Sequence, residues 1–213
     1  DGIFRDSWTA FTPRFTVDYR LNDDQMLYAS IAKGAKSGGF NDVVFDESQR
    51  SFDPDENWTY EIGSKNEWLD GQLRFNAAVF YTDWQDLQIS STPLGDIPPG
   101  ITVLPTVVDN TGGAEIFGVE VDGAWLATDM LSFDYAVSLT SAEYSGGSRS
   151  LRIANIGACD GITCPANGDI SGNKLQRQPA FQASVGAALQ GEWSDGWQWY
   201  LRGDVAHQSK QYV

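Results

Sequence analysis

Histidine and cysteine are scarce in this chain. The 213 residues hold one histidine, His207, and two cysteines, Cys159 and Cys164. A single histidine far in sequence from a single cysteine pair does not supply the four ligands of a structural zinc site. Basic residues are also few, 14 against 29 acids, which leaves a formal net charge of −15. That balance argues against nucleic-acid binding, which needs clustered Lys and Arg to displace counterions from phosphates. It suits acidic loops held in water or a surface that attracts cations. No apolar run approaches the roughly 18–20 residues of a membrane helix. The opening residues, Asp1-Gly2-Ile3-Phe4-Arg5, carry no signal-peptide pattern of charge, apolar run and small residues. The chain therefore either stays in water or crosses a membrane as strands.

What is present is apolar and aromatic. Hydrophobic residues make up 41% and aromatics 13%, with eight Trp and 22 Gly, too much apolar surface for a disordered chain. The dominant pattern has period two, the mark of strands with two unlike faces. Trp58, Tyr60, Ile62, Ser64, Asn66 and Trp68 alternate with Thr59, Glu61, Gly63, Lys65 and Glu67. Asp70-Gly71 then reads as a two-residue hairpin turn, and Leu73, Phe75, Ala77, Val79 and Tyr81 return on the apolar side. The same reading gives eight strands, at about 11–20, 25–35, 57–69, 73–82, 107–126, 131–144, 179–192 and 197–208. The faces of the second are ambiguous.

Three features separate a membrane barrel from a soluble sandwich. Connections alternate in length: short around Asn22-Asp23-Asp24, Asp70-Gly71, Ala127-Thr128-Asp129 and Ser194-Asp195-Gly196, and long at about 36–56, 90–106 and 145–178. In an up-and-down sheet this puts all turns at one end and all loops at the other, the layout of outer-membrane barrels; a Greek-key sandwich gives no reason for it. The Trp residues avoid strand middles. Trp68, Trp125, Trp193, Trp197 and Trp199 lie beside short turns, and Trp8, Trp58 and Trp84 toward long loops, as at two membrane interfaces. Trp58 and Trp68, ten residues apart on one face, span about 25 Å in a tilted strand, the height of the apolar band. Strands of 10–14 residues also exceed the usual length of about five or six in soluble sheets.

The polar face carries the candidate functional residues. Arg14, Asp18, Glu61, Lys65, Arg74, Glu120, Asp122 and Asp134 alternate with apolar positions and would point into a barrel lumen, toward ligand or an inner domain, or toward one another and water. The Glu120/Asp122 pair superficially suits glycoside chemistry, but any polar barrel wall supplies such pairs, and no catalytic, cofactor or metal residue is expected. Gly34-Ala35-Lys36-Ser37 lacks both glycines that a phosphate loop requires and reads as a strand end. Asp42, Asp46, Glu47, Asp53, Asp55 and Glu56 form an acidic loop, more simply a solvated surface than a divalent-ion site. Asn57-Trp58-Thr59 matches a glycosylation sequon.

Several stretches resemble the TonB-dependent outer-membrane receptors. These are Tyr28 to Asn41, with Lys33-Gly34-Ala35-Lys36-Ser37-Gly38-Gly39-Phe40-Asn41; Trp58-Thr59-Tyr60-Glu61-Ile62-Gly63-Ser64-Lys65 followed by Leu69-Asp70-Gly71 to Trp84; and Asn110 to Asp122, with Ala114-Glu115-Ile116-Phe117-Gly118-Val119-Glu120. The resemblance covers nearly the whole chain. It implies an all-β fold: an antiparallel up-and-down transmembrane β-barrel of about 22 strands, of which eight lie here. It also implies an inner plug domain, energy supplied through the TonB complex, contact with outer-membrane lipid, and uptake of an iron–siderophore or similar scarce nutrient. Residues 1–213 are then expected to be one partial barrel domain, an internal piece without plug or TonB box. The turns at Asp70-Gly71 and Asp195-Gly196 would be periplasmic. Cys159 and Cys164 would fall in an external loop, where a local disulfide is the natural reading in an oxidising compartment. The competing expectations are a passive porin and a soluble all-β carbohydrate-binding domain with Trp sugar platforms.

Overall fold

The structure, a computed structural model, describes residues 3–91, 106–150 and 168–212. Twelve strands follow in order: β1 (Arg14–Asn22), β2 (Gln25–Lys36), β3 (Gly39–Phe40), β4 (Ser51–Phe52), β5 (Asp55–Trp68), β6 (Leu73–Gln85), β7 (Gln88–Ser91), β8 (Val107–Asn110), β9 (Ala114–Leu126), β10 (Leu131–Tyr144), β11 (Phe181–Glu192) and β12 (Gln198–Gln208). Eight of them make one antiparallel sheet in the order β1-β2-β5-β6-β9-β10-β11-β12. Each long strand thus lies beside the next long strand in the chain, an up-and-down meander. The other four form two small hairpins, β3-β4 and β7-β8, inside the long connections.

Strand ends differ from the sequence reading where local chemistry intervenes. The first strand starts at Arg14, because Pro13 offers no N–H and contributes only its carbonyl, to Lys33 N at 2.9 Å. The expected strand 107–126 is broken at Thr111-Gly112-Gly113. Gly112 takes φ +117°, a region that favours glycine. Residues 107–110 leave the main sheet and pair with β7 instead. The Asp70-Gly71 turn holds four residues rather than two. The last rung is Trp68–Leu73, and Leu69, Asp70 and Gly71 all adopt positive φ.

The stagger of the sheet is that of a tilted barrel wall. One cross-strand row runs Asp18–Tyr28–Gly63–Ala78–Glu120–Ser138–Gln182–Gln208. Asp18 stands four residues from the turn end of β1, and Gln208 stands ten from the turn end of β12. With the turns level at one membrane surface, that stagger over seven strand gaps corresponds to a tilt of about 30°, taking ~3.3 Å per residue and ~4.8 Å between strands. Closing a sheet into a barrel requires a tilt of this order.

The buried core lies at the loop end of the sheet, where the strand ends meet the loops. Leu87, Ala114, Ala142, Tyr144, Ile170 and Leu175 form it, with Trp84, Ile89 and Ile116 packed against them. Along the strands, by contrast, Val17, Ile62, Val185 and Val205 are 52–73% exposed.

Candidate functional site

Because directly paired residues share a face, the register decides which side each residue lies on. It places all eight sequence candidates on one side: Arg14 opposite Ala32, Asp18 opposite Tyr28, Glu61 between Ser30 and Phe80, Lys65 between Met26 and Asn76, Arg74 between Glu67 and Ala124, Glu120 between Ala78 and Ser138, Asp122 between Asn76 and Ala136, and Asp134 between Ala124 and Gly186. The opposite side is apolar. Phe15, Ile31, Tyr60, Tyr81 and Phe117 form one of its rows, Val17, Ala29, Ile62, Val79, Val119 and Leu139 the next. Near the turns this side carries two stacked aromatic pairs, Trp68 on Phe75 at 5.6 Å and Trp125 on Phe133 at 5.8 Å. A soluble protein rarely leaves so large an apolar surface uncovered; a lipid-facing wall bounded by aromatic residues does.

The polar side is organised by short-range pairing. Arg202 grips Asp134 through both terminal nitrogens, at 2.7 and 3.0 Å, and also bonds Asp204. Asn76 Nδ2 donates to Asp122 Oδ2 at 3.0 Å. Lys65 Nζ stands 5.7 Å from the centre of the Tyr28 ring. Tyr28 lies across Gly63 and Phe80 across Gly118, so that a Cβ at either glycine would clash with the end of the ring. A shallow groove of ≈ 650 Å³ runs over Glu120, Asp122, Ser138, Gln182 and Ser184. The sequence candidates omitted Tyr28, Asn76, Arg202 and Asp204. Arg202 and Asp204 carried the same alternation signal as those chosen. Tyr28 did not, since β2 has bulky residues on both sides.

The eight Trp divide less simply than expected. Trp58, Trp68, Trp125 and Trp199 share the apolar side, and Trp193 and Trp197 are exposed beside their turn. Trp84 is a correction: it lies on the candidates' side of β6, opposite Ala114, and packs on the loop core. Trp8 packs against Phe40, ring centres 6.0 Å apart.

The acidic loop does not gather into one site. Asp46 caps a short 3-10 turn, accepting from Ser48 N at 2.9 Å, and these bonds hold its carboxyl below the usual range. Glu47 pairs with Arg50 at 2.6 Å, which lowers its carboxyl likewise. Glu56 pairs with Lys33 at 2.6 Å. Asp55 is buried, 3.4 Å from Gln88 N. Among the described residues no three acids, cysteines or histidines come together as metal ligands. Gly34, Ala35 and Lys36 end β2 as extended chain. Cys159 and Cys164 lie outside the described residues.

Residues that the sequence did not single out tie the loops together. The Asn41 side-chain amide donates to Val108 O and accepts from Val108 N, both at 2.9 Å. That of Asn110 accepts from Asp53 N at 2.8 Å and donates to Asp53 O at 3.0 Å. Ser148 Oγ, fully buried, accepts from Gly113 N at 3.0 Å and donates to Gly113 O at 2.9 Å. No periodic pattern announces such contacts.

Comparison with known proteins agrees with this geometry. Residues 2–212 match the family model described as TonB dependent receptor-like, beta-barrel. A pesticin receptor of Yersinia enterocolitica is 29% identical over 136 residues, 63% of this chain and 19% of that protein. A probable TonB-dependent siderophore receptor of Acinetobacter baumannii is 23% identical over 175 residues, 79% of this chain and 21% of that protein. The chain therefore spans about a fifth of the length of these relatives. Among solved structures, the ferric yersiniabactin uptake receptor of Yersinia pestis superposes with TM-score 0.61 at 21% identity, over 91% of this chain and 24% of that one. The ferripyoverdine receptor of Pseudomonas aeruginosa does so with TM-score 0.56 at 18% identity, over 92% and 26%. A soluble sugar-binding sandwich is thereby set aside: the chain belongs to the TonB-dependent receptors of the bacterial outer membrane and forms a stretch of their β-barrel.

Proposed function

We propose that the full-length protein is an active-transport receptor that takes up an iron–siderophore or a similar scarce nutrient, driven through the TonB complex. In this reading the present chain supplies barrel wall, lumen lining and outer loops. The observation that carries it is the two-sidedness of the sheet. One register puts eight ionisable candidates on one side and a continuous apolar surface on the other, as expected for lumen and lipid. Arg14, Asp18, Glu61, Lys65, Arg74, Glu120, Asp122 and Asp134 then line the lumen, where a plug domain or the passing ligand would meet them. Relatives named for a siderophore and for metal–pseudopaline support a chelate-type ligand.

The test is uptake by cells expressing the full-length protein in a strain stripped of its own receptors. Radiolabelled iron offered with a panel of siderophores should accumulate only when TonB is present. Accumulation that is indifferent to TonB would make the protein a passive pore. No accumulation of any metal chelate, with binding of another nutrient, would overturn the ligand class but leave the receptor reading intact.

A further inference from the structure

The contacts between the outer segments form an unbroken sequence around the rim. Starting from the N-terminal segment, Phe4 and Trp8 pack on Phe40, with ring centres 5.5 and 6.0 Å apart, and the Arg50 guanidinium stands 5.2 Å over Phe4. Phe40, Asn41 and Arg50 belong to the β2–β5 loop. Asn41 joins that loop to Val108 in the β6–β9 loop, and Asn110 joins back to Asp53. Gln88 Nε2 adds bonds to Ser37 O and Asp53 O, both at 3.0 Å. The β6–β9 loop is joined to the β10–β11 loop by Ser148 on Gly113 and by Arg149 N on Thr111 O at 2.7 Å. That loop in turn meets the C-terminal segment, where Arg177 N donates to Tyr212 O at 2.9 Å.

Three of these joints share one chemistry. In each, a side chain presents a donor and an acceptor to the N–H and C=O of a single residue, as a β-partner's peptide group would: Asn41 on Val108, Asn110 on Asp53, and Ser148 on Gly113. Asn41 and Ser148 are buried, at 6% and 0% exposure. Water does not replace their bonds without local opening, and a buried backbone group stripped of its partner is costly. The Leu87–Ile170–Leu175 core joins the β6–β9 and β10–β11 loops from beneath. By contrast, Arg50 spends its guanidinium on its own loop, bonding Glu47 and the Asn41 and Asp42 carbonyls. It holds the loop in shape rather than presenting a free cation to a ligand.

We propose that Asn41, Asn110 and Ser148 are positioning residues that lock the outer loops into one collar, so that the mouth of the barrel is preformed and opens as a unit rather than loop by loop. This goes beyond the transport reading and does not depend on its ligand.

The test is hydrogen exchange of the full-length protein in detergent micelles, comparing wild type with Asn110→Ala and Ser148→Ala. In Asn110→Ala, the Asp53 amide loses its acceptor and must exchange faster whatever the wider role. The collar predicts that Ser145 and Arg149, in a different loop, also exchange at least tenfold faster, while Ile62 and Val79 in mid-sheet stay within twofold. Reciprocally, Ser148→Ala should speed exchange at Val108 and Asp53. Acceleration confined to each variant's own partners would overturn the proposal and leave three local loop contacts. Should Asn110→Ala fail to fold, Asn110→Asp keeps the acceptor for Asp53 N–H and loses only the donors. It should then give a smaller rise at the same distant amides, and no distant rise would count against the collar.

Discussion

The strand sheet and the outer collar solve opposite problems with the same chain. In the sheet, large apolar side chains stay exposed, Val205 to 73% and Phe15 to 68%, and stability must come from what lies against the two faces. In the collar, apolar groups find one another: Val107 and Ala114 are 0% exposed, and Tyr144, Ile170 and Leu175 lie below a tenth. The sheet is therefore built for lipid and the collar for water. A small hydrophobic core at a barrel's rim lets irregular backbone hold its shape where no membrane supports it, provided its polar groups are paired.

The largest effect should come from breaking the collar core. Leu87→Ala removes a buried side chain that bridges the β6–β9 loop to Ala114 and Tyr144. Cavity formation of this kind costs about 2–5 kcal/mol. The loss should appear as faster proteolysis and exchange in the loops, with the heat-modifiable gel shift of the folded barrel retained. Loss of that shift would mean that collar and sheet fold as one unit.

Next in size is a charge on the apolar side of the sheet. Ile62→Arg places a guanidinium where lipid is expected, at a cost of about 2–4 kcal/mol near the bilayer midplane. Glu120→Gln, on the other side of the same sheet, should change stability by less than about 0.5 kcal/mol. Urea titrations of the full-length protein in lipid vesicles measure both. Equal effects from the two variants would erase the distinction between the faces. Smaller still is Arg202→Ala, which leaves Asp134 and Asp204 facing each other without their shared cation. It should lower the urea midpoint at low salt and do so less at high salt, since screening weakens the repulsion between the two carboxylates.

The sheet was legible in the sequence because its rule is simple. Period-two alternation and the short–long parity of the connections located eight strands and put all eight candidates on one side. Errors arose where a single residue overrode the pattern. Gly112 ended a strand that alternation carried straight through, and Pro13 delayed β1. Trp84 looked like an interface aromatic, yet its position on β6 turns it under the loops. The collar was not legible at all. Asn41, Asn110 and Ser148 act across 67, 57 and 35 residues of sequence, and one amide or hydroxyl in a polar loop carries no periodic mark. Nor did the acid count reveal that Asp46, Glu47 and Glu56 each serve a separate local partner.

The smallest predicted effect is also the most specific to the collar, because it turns on one carboxylate. Asp109 lies on β8, half-buried opposite Ile89. Burial pushes its carboxyl above the ordinary aspartate range, an effect only partly offset by a backbone hydrogen bond from Asn110. The sign follows from linkage. A group that binds its proton more tightly when folded adds stability that is complete below its unfolded pKa and is lost as pH rises through the folded value. Asp46 works the other way: hydrogen bonds from Ser48 lower its carboxyl, so its contribution is present above the ordinary value and lost as pH falls through the lowered one. The collar around β8 should therefore be tightest at the acid end of the aspartate range and loosen as Asp109 ionises. Asp109→Asn removes the charge and should abolish that loosening. Exchange protection of Val108 and Asn110, corrected for the intrinsic pH dependence of amide exchange, should match wild type at the acid end and exceed it at neutral pH. A wild-type profile already flat through the window would show that the collar admits enough water at β8 to solvate the charge, and the contrast between an open sheet and a closed rim would then fail at that strand.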